Sequence, residues 1–351
     1  MSNRETALER LLKARIEKDG PIGLDVYMAE ALMHPEHGYY SRRDPFGLAG
    51  DFTTAPEMSQ IFGELLGLWL ADRWEALGRP CPVRLVELGP GRGTLMADAL
   101  RAMKVVSGLT EAIDLHLVEA SPVLRNKQSD RLSATWHETL DSVPEGFTLL
   151  VANEFFDALP IHQFVRGTEG WGEKRIGLDG NGALAYCIGP ASPALAHVPQ
   201  SLHEAAPGSV VEVSPASIAA MEGIARRLAH HGGAALIVDY GYNEDAVGDS
   251  LQAVRRHQRV DVLHRPGDCD ITAHVNFASL VRVARAQGIE TMGPFPQGAF
   301  LEAHGIRLRA AMLAAKASAR RRRDIEAAVR RLIAPDMMGE LFRVLALSAR
   351  P

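Results

Sequence analysis

A glycine-rich turn and two carboxylates stand at a spacing that can hold a small charged ligand. Glu87 lies two residues before Gly89-Pro90-Gly91-Arg92-Gly93, near the end of the apolar run 83–88. Glycines at a strand-to-helix turn let the backbone approach a ligand closely. The spacing is GxGxG, not the GxGxxG of the dinucleotide fingerprint. A carboxylate just before such a turn suits an amino acid and a cationic sulfonium better than a pyrophosphate. Glu119 follows the next apolar run, 115–118, where a doubly wound sheet uses an acid to accept both ribose hydroxyls. Together these features favour S-adenosylmethionine, held by Glu87, Gly89, Pro90, Gly91, Gly93 and Glu119. Two rival readings are a nicotinamide site and a glycine turn that serves helix–strand packing alone.

A third apolar run, 147–152, leads into Asn153-Glu154 and then Asp157. These residues should lie at the same sheet edge, Asn153 on the cofactor side and the two acids on the acceptor side. Methyl transfer is an in-line displacement, so positioning supplies most of the acceleration. An arginine acceptor is a cation with a pKa above about 12. Carboxylates beside it would pair with the guanidinium, localise its charge and free a lone pair on the reacting nitrogen. The alternative for Asp157 is a helix cap, with Glu154 on the surface.

The elements that must position these groups alternate. Strands over 83–88, 115–118 and 147–152, separated by helices over 94–103 and 120–132, make the βαβ pattern of a parallel sheet. Ahead of them, helices are expected over 6–18, 24–33 and 59–77, with a Gly-, Pro- and Asp-rich loop over 36–56. Trp69 and Trp74 on the long helix are expected in the core. Residues 163–213 read as an excursion of short strands, 217–230 as a helix, 234–238 as a buried strand ending in Asp239-Tyr240-Gly241, and 341–348 as an apolar closing strand. The expected division is a helical region over 1–80 and a Rossmann-like α/β core over 81–245 with the excursion inserted. A mainly helical substrate-side subdomain over 246–340 follows, and 341–351 returns to the core.

Totals exclude several classes. Hydrophobic residues make up 46% and charged residues 23% of 351 positions, the balance of a globular protein. The net charge of −5 argues against nucleic-acid binding. Cys81, Cys187 and Cys269 form no CxxC pair, so neither a disulfide framework nor structural zinc is expected. His230-His231, His257 and His264 lack metal-ligand spacing. No run reaches the roughly 18–20 apolar residues of a membrane span. No secretory or transit pattern marks residues 1–20, so a bacterial chain of this kind is expected in the cytoplasm. Arg320-Arg321-Arg322-Arg323, followed by Asp324 and Glu326, reads as a solvated helix face sooner than as a grip on an acidic partner.

Further segments carry a resemblance. They include Gly20-Pro21-Ile22, His34-Pro35-Glu36-His37-Gly38-Tyr39-Tyr40, Gly50-Asp51-Phe52-Thr53-Thr54-Ala55-Pro56-Glu57 and Glu87 to Gly93. Asn153-Glu154-Phe155-Phe156-Asp157-Ala158-Leu159-Pro160, Asp239-Tyr240-Gly241, Asp270-Ile271-Thr272-Ala273-His274-Val275 and Gly298-Ala299-Phe300-Leu301 complete the set. Over nearly its whole length the chain resembles the MidA-like family, the mitochondrial complex I assembly arginine methyltransferases and their bacterial relatives. The resemblance implies an S-adenosylmethionine-dependent enzyme that methylates an arginine on a protein partner, a subunit of NADH dehydrogenase (complex I). It also implies that the loop over 50–57 folds over the cofactor, with Thr53 and Thr54 as contacts and Asp51 beside the catalytic acids. One departure is Asn276, where the family pattern places an acid. An assembly chaperone that binds the cofactor without turnover stays open beside the enzyme, and an oxidoreductase stays behind both.

Overall fold

The computed structural model describes residues 5–42 and 54–350. Among these residues the central sheet has eight strands, of which Val275–Asn276 pairs off its main path and seven form that path: β1 (Val83–Leu88), β2 (Ile113–Val118), β3 (Thr135–His137), β4 (Thr148–Asn153), β5 (Gly233–Tyr242), β6 (Glu290–Pro296) and β7 (Phe342–Ala349). Their order is β6-β7-β5-β4-β1-β2-β3. Strands β1 to β5 pair in parallel, and β7 runs antiparallel between β5 and β6.

The middle strands are apolar on both faces because helices cover both. Period-2 alternation divides their side chains. Val83, Leu85, Leu149 and Val151 join one core cluster, and Val86, Leu88, Leu150 and Ala152 join the other. The first cluster takes in the helix Gln60–Ala76, whose Trp69 and Trp74 are buried as expected. Gly67 of that helix lies against the helix Thr94–Met103: a Cβ there would meet Ala99 Cα at 2.6 Å, so only glycine permits this approach.

The excursion over 163–213 is a separate antiparallel sheet of His162–Arg166, Trp171–Leu178, Leu184–Pro190 and Val210–Val213, joined by the N-terminal Ile22–Gly23. Residues 246–340, expected to be mainly helical, contain more. A three-stranded sheet of Gln252–Arg255, Gln258–Val260 and Asp270–Thr272 comes first, and after the helix Phe277–Ala286 β6 adds an edge to the central sheet before the remaining helices. The sequence pattern does not announce β3 or β6. β3 has three residues, and β6 contains Gly293-Pro294 and a register shift between Met292 and Phe295. Gly-Pro reads as a turn, yet an edge strand tolerates a proline because its outer N–H needs no ladder partner.

Candidate functional site

A cavity of about 990 Å³ opens at the carboxyl ends of β1, β2, β4 and β5, the edge at which open α/β sheets bind ligands. Glu87, Gly89, Pro90, Gly91, Glu119, Asn153, Glu154 and Asp157 line it together, with Thr54 at the start of the short helix Ala55–Met58. Gly93 does not line it. It turns into the helix Thr94–Met103, and a Cβ there would meet Leu132 Cδ1 at 3.0 Å. Asp51 and Thr53 lie outside the described residues, as does most of the loop expected to cover the cofactor.

All three glycines of the turn have left-handed φ, +62°, +54° and +74° at Gly89, Gly91 and Gly93, which is why the turn needs them. Gln128, missed in the sequence, ties the turn to the neighbouring acid. Its Nε2 donates to the Gly91 carbonyl at 2.8 Å and to Glu119 Oε2 at 3.2 Å. Glu119 Oε1 accepts the Ser121 N–H at 2.8 Å. Burial raises the Glu119 carboxyl to about 7, against the pull of these donors. Glu87 is raised to about 8 by burial and by the nearby Glu119. Among the described residues its Oε2 is buried without a hydrogen-bond partner, as is Asn153 Oδ1. Unpaired buried acceptors are costly. Acceptors facing this cavity fit a ligand that brings its own donors or a positive charge, so these residues suit an amino-acid-bearing sulfonium.

The wall expected to face the acceptor is built differently. Glu154 has φ +50°, an uncommon conformation for a side-chain-bearing residue and one often kept at functional sites. The following residues form a turn, not a helix, so Asp157 has no helix to cap. Asp239, at the end of β5, holds that turn. Its Oδ2 accepts the N–H groups of Phe155, Phe156 and Asp157 at 3.1, 3.0 and 3.3 Å. Asp157 Oδ2 accepts the Tyr240 hydroxyl at 2.6 Å, and its Oδ1 is buried with no partner among the described residues. Glu154, expected at the surface under the capping alternative, instead lines the cavity and accepts from Ala55 N and Asn153 Nδ2, both at 3.3 Å. Burial, with Asp157 close by, raises Glu154 to about 8. Burial also pushes Asp157 and Asp239 upward. Among the described residues no cation pairs with this group of acids. Tyr40 adds a hydroxyl that donates to Asp270 Oδ1 at 2.8 Å on the same wall.

Asn276 lies away from this cavity. It caps the helix Phe277–Ala286, accepting from Ser279 N at 3.0 Å. Aspartate and asparagine cap about equally well, so the departure from the family pattern costs the site nothing.

A sequence model of an S-adenosyl-L-methionine-dependent methyltransferase family matches residues 65–295. The chain belongs to this family. The methyltransferase is 37% identical to the mouse protein named protein arginine methyltransferase NDUFAF7, mitochondrial, over 99% of this chain and 85% of the relative. It is 36% identical to the Drosophila melanogaster homologue of that name, over 97% and 84% of the two chains. A crystal structure from Burkholderia thailandensis, described as a methyl transferase bound to S-adenosylhomocysteine, superposes with a TM-score of 0.85. It is 30% identical over 98% of this chain and 92% of that one. These findings bear out the MidA-like resemblance, the fold class and the cofactor. S-Adenosylmethionine is the methyltransferase's cofactor, and the nicotinamide reading falls.

Proposed function

We propose that this methyltransferase methylates an arginine side chain of a protein, and that the target is a subunit of NADH dehydrogenase (complex I). The observation that carries the arginine reading is the pair Glu154 and Asp157: two carboxylates at one cavity wall, raised by burial and short of cationic partners. The curated relatives, named protein arginine methyltransferases, support the same acceptor. The choice of complex I rests on the family resemblance in the sequence.

When bound, the cofactor would supply a methyl group on a sulfonium, with the neutral thioether S-adenosylhomocysteine as the leaving group. The chain's own residues prepare the acceptor nitrogen. Glu154 and Asp157 pair with the guanidinium, hold it in one orientation, and one of them takes the proton that the nitrogen loses. Tyr240 keeps Asp157 in place through its hydroxyl. Glu87 and Glu119 serve the cofactor side, together with Gly89, Pro90, Gly91, Thr54 and Asn153.

The test is incubation of the purified enzyme with isotopically labelled S-adenosylmethionine and isolated NADH dehydrogenase subunits. Mass spectrometry should locate the label on one arginine. Label on lysine or a terminal amine would overturn the arginine reading, and label on arginine of unrelated proteins alone would overturn the complex I assignment.

A further inference from the structure

The three-stranded sheet divides its two faces between core and cavity. Ala253 and Ile271 point into the cluster formed with the N-terminal helices. Gln252, Val254, Arg259, Asp270 and Thr272 all line the cavity. Register explains the division. Val254 pairs with both Arg259 and Asp270, and Gln252 pairs with Thr272, so these side chains share one face.

Charge changes sign across that wall. Asp270 stands on the inner strand beside Tyr40, Val254 on the middle strand, and Arg259 on the outer edge strand. Two strand spacings separate the ends, about 9–10 Å in all. Carboxylates outnumber cations nine to three among the described lining residues, so a cation here stands out from its surroundings. Arg259 is exposed, and its side chain makes no hydrogen bond or ion pair among the described residues. The hairpin that carries it is sharply set. Its two turn residues, Arg256 and His257, both have left-handed φ, +51° and +61°, the geometry of a two-residue turn that matches strand twist. Arg259 is therefore presented by regular structure on the wall of the same cavity, two strands from Asp270, whose charge acts on Glu154.

We propose that Arg259 is a specificity-determining residue that pairs with a side-chain carboxylate near the acceptor arginine in the protein substrate. This rests on the arginine reading above. An extended segment rises about 3.3 Å per residue, so about three residues span the two strand spacings from Asp270 to Arg259, and an acid two to four residues from the acceptor is the spacing to test. The guanidinium of the substrate sits at Glu154 and Asp157, an apolar or small residue passes Val254, and the acid reaches Arg259. A substrate with a basic residue at that spacing is repelled.

The test uses acetylated, amidated nonapeptides with one central arginine and a single Glu, Gln or Lys two, three or four residues away on either side. Turnover is followed with S-adenosylmethionine, and binding to the adenosylhomocysteine complex by calorimetry. At one spacing the Glu peptide should exceed the Gln peptide by about tenfold in kcat/KM and in affinity, with Lys weakest. R259Q should abolish the preference and R259E should reverse it towards Lys. Affinity for adenosylhomocysteine alone reports the folding of each variant. Equal use of Glu, Gln and Lys peptides by the wild type overturns the inference and leaves the arginine reading standing. A Glu preference that survives in both variants overturns the role of Arg259. Binding and turnover of none of the peptides overturns the arginine reading and this inference with it.

Discussion

Each buried carboxylate at the site has a donor set that fits its task. Glu119 takes a backbone N–H and the Gln128 amide and keeps capacity for hydroxyl donors. E119A should weaken adenosylhomocysteine binding by about 1–3 kcal/mol, the range for a lost charge-assisted bond, as read by calorimetry. A smaller loss would remove Glu119 from the cofactor contacts. Under the proposed function Glu154 serves the acceptor. E154Q keeps the shape and removes the charge, so adenosylmethionine affinity should stay within about threefold, under 1 kcal/mol. Single-turnover methyl transfer should slow by at least about a hundredfold. The raised carboxyl of Glu154, at about 8, also sets a pH dependence. In the wild type kcat/KM for the acceptor should rise as pH approaches 8, because the ionised form receives the guanidinium. A bound cation lowers the inflection. E154Q should lose this limb, and an unchanged profile would place the limiting ionisation elsewhere.

At the scale of elements, the turn over 154–157 is neither helix nor strand, and its own sequence does not hold it. Asp239 does so from β5, with one carboxylate oxygen collecting three N–H groups. D239N retains one acceptor oxygen but loses the charge that satisfies all three donors. It should lower unfolding free energy by about 1–3 kcal/mol, measured by denaturant titration. Methyl transfer should fall further than cofactor affinity, because the misplaced turn carries Glu154 and Asp157. Equal losses in transfer and in cofactor binding would show that Asp239 supports the fold generally and not the acceptor side in particular. The short helix Ala55–Met58 is tied to the glycine turn in a similar way. Glu57 accepts from Thr94 Oγ1, and from Arg92 Nη1 at 3.3 Å.

The whole molecule concentrates acids in one cavity at a cost to the ligand-free fold. Glu87, Glu119 and Glu154 sit at about 8, 7 and 8, above the ordinary 4.5 of an unfolded glutamate. The folded chain therefore binds more protons than the unfolded chain between those values. Their contribution to stability is full below about 4.5 and is lost as pH rises through 7 to 8. Unfolding free energy of the ligand-free protein should decline over that window. S-Adenosylmethionine should stabilise more at pH 8 than at pH 6, since a cationic ligand favours the ionised carboxylates. Thermal melts with and without ligand would check both signs, and a ligand shift that shrinks with rising pH would contradict the account. Away from the cavity, Glu64 joins the long helix Gln60–Ala76 to the helix Ile306–Ala315 through Arg309, at 2.8 and 3.0 Å, with Arg101 at 3.0 Å. Burial raises the Glu64 carboxyl, but its arginine and Gln60 partners bring it below the ordinary value overall, the reverse of the cavity acids.

The sequence by itself determined the parallel α/β core, the glycine turn and the placement of Glu87, Glu119, Asn153, Glu154 and Asp157 at one sheet edge. Those features are local: apolar runs of strand length, punctuated by glycines and ending in acids, specify strand ends without reference to the rest of the chain. The tertiary structure decided what depends on distant partners. Asp239 meets its turn across more than 80 residues, and Tyr40 reaches Asp270 across 230. The wall that carries Arg259 exists because Gln252–Arg255 pairs with both Gln258–Val260 and Asp270–Thr272. Short, polar strands with mixed burial leave little periodic signal of their own. Their two faces acquired a meaning only when one was packed against the N-terminal helices and the other closed the cavity.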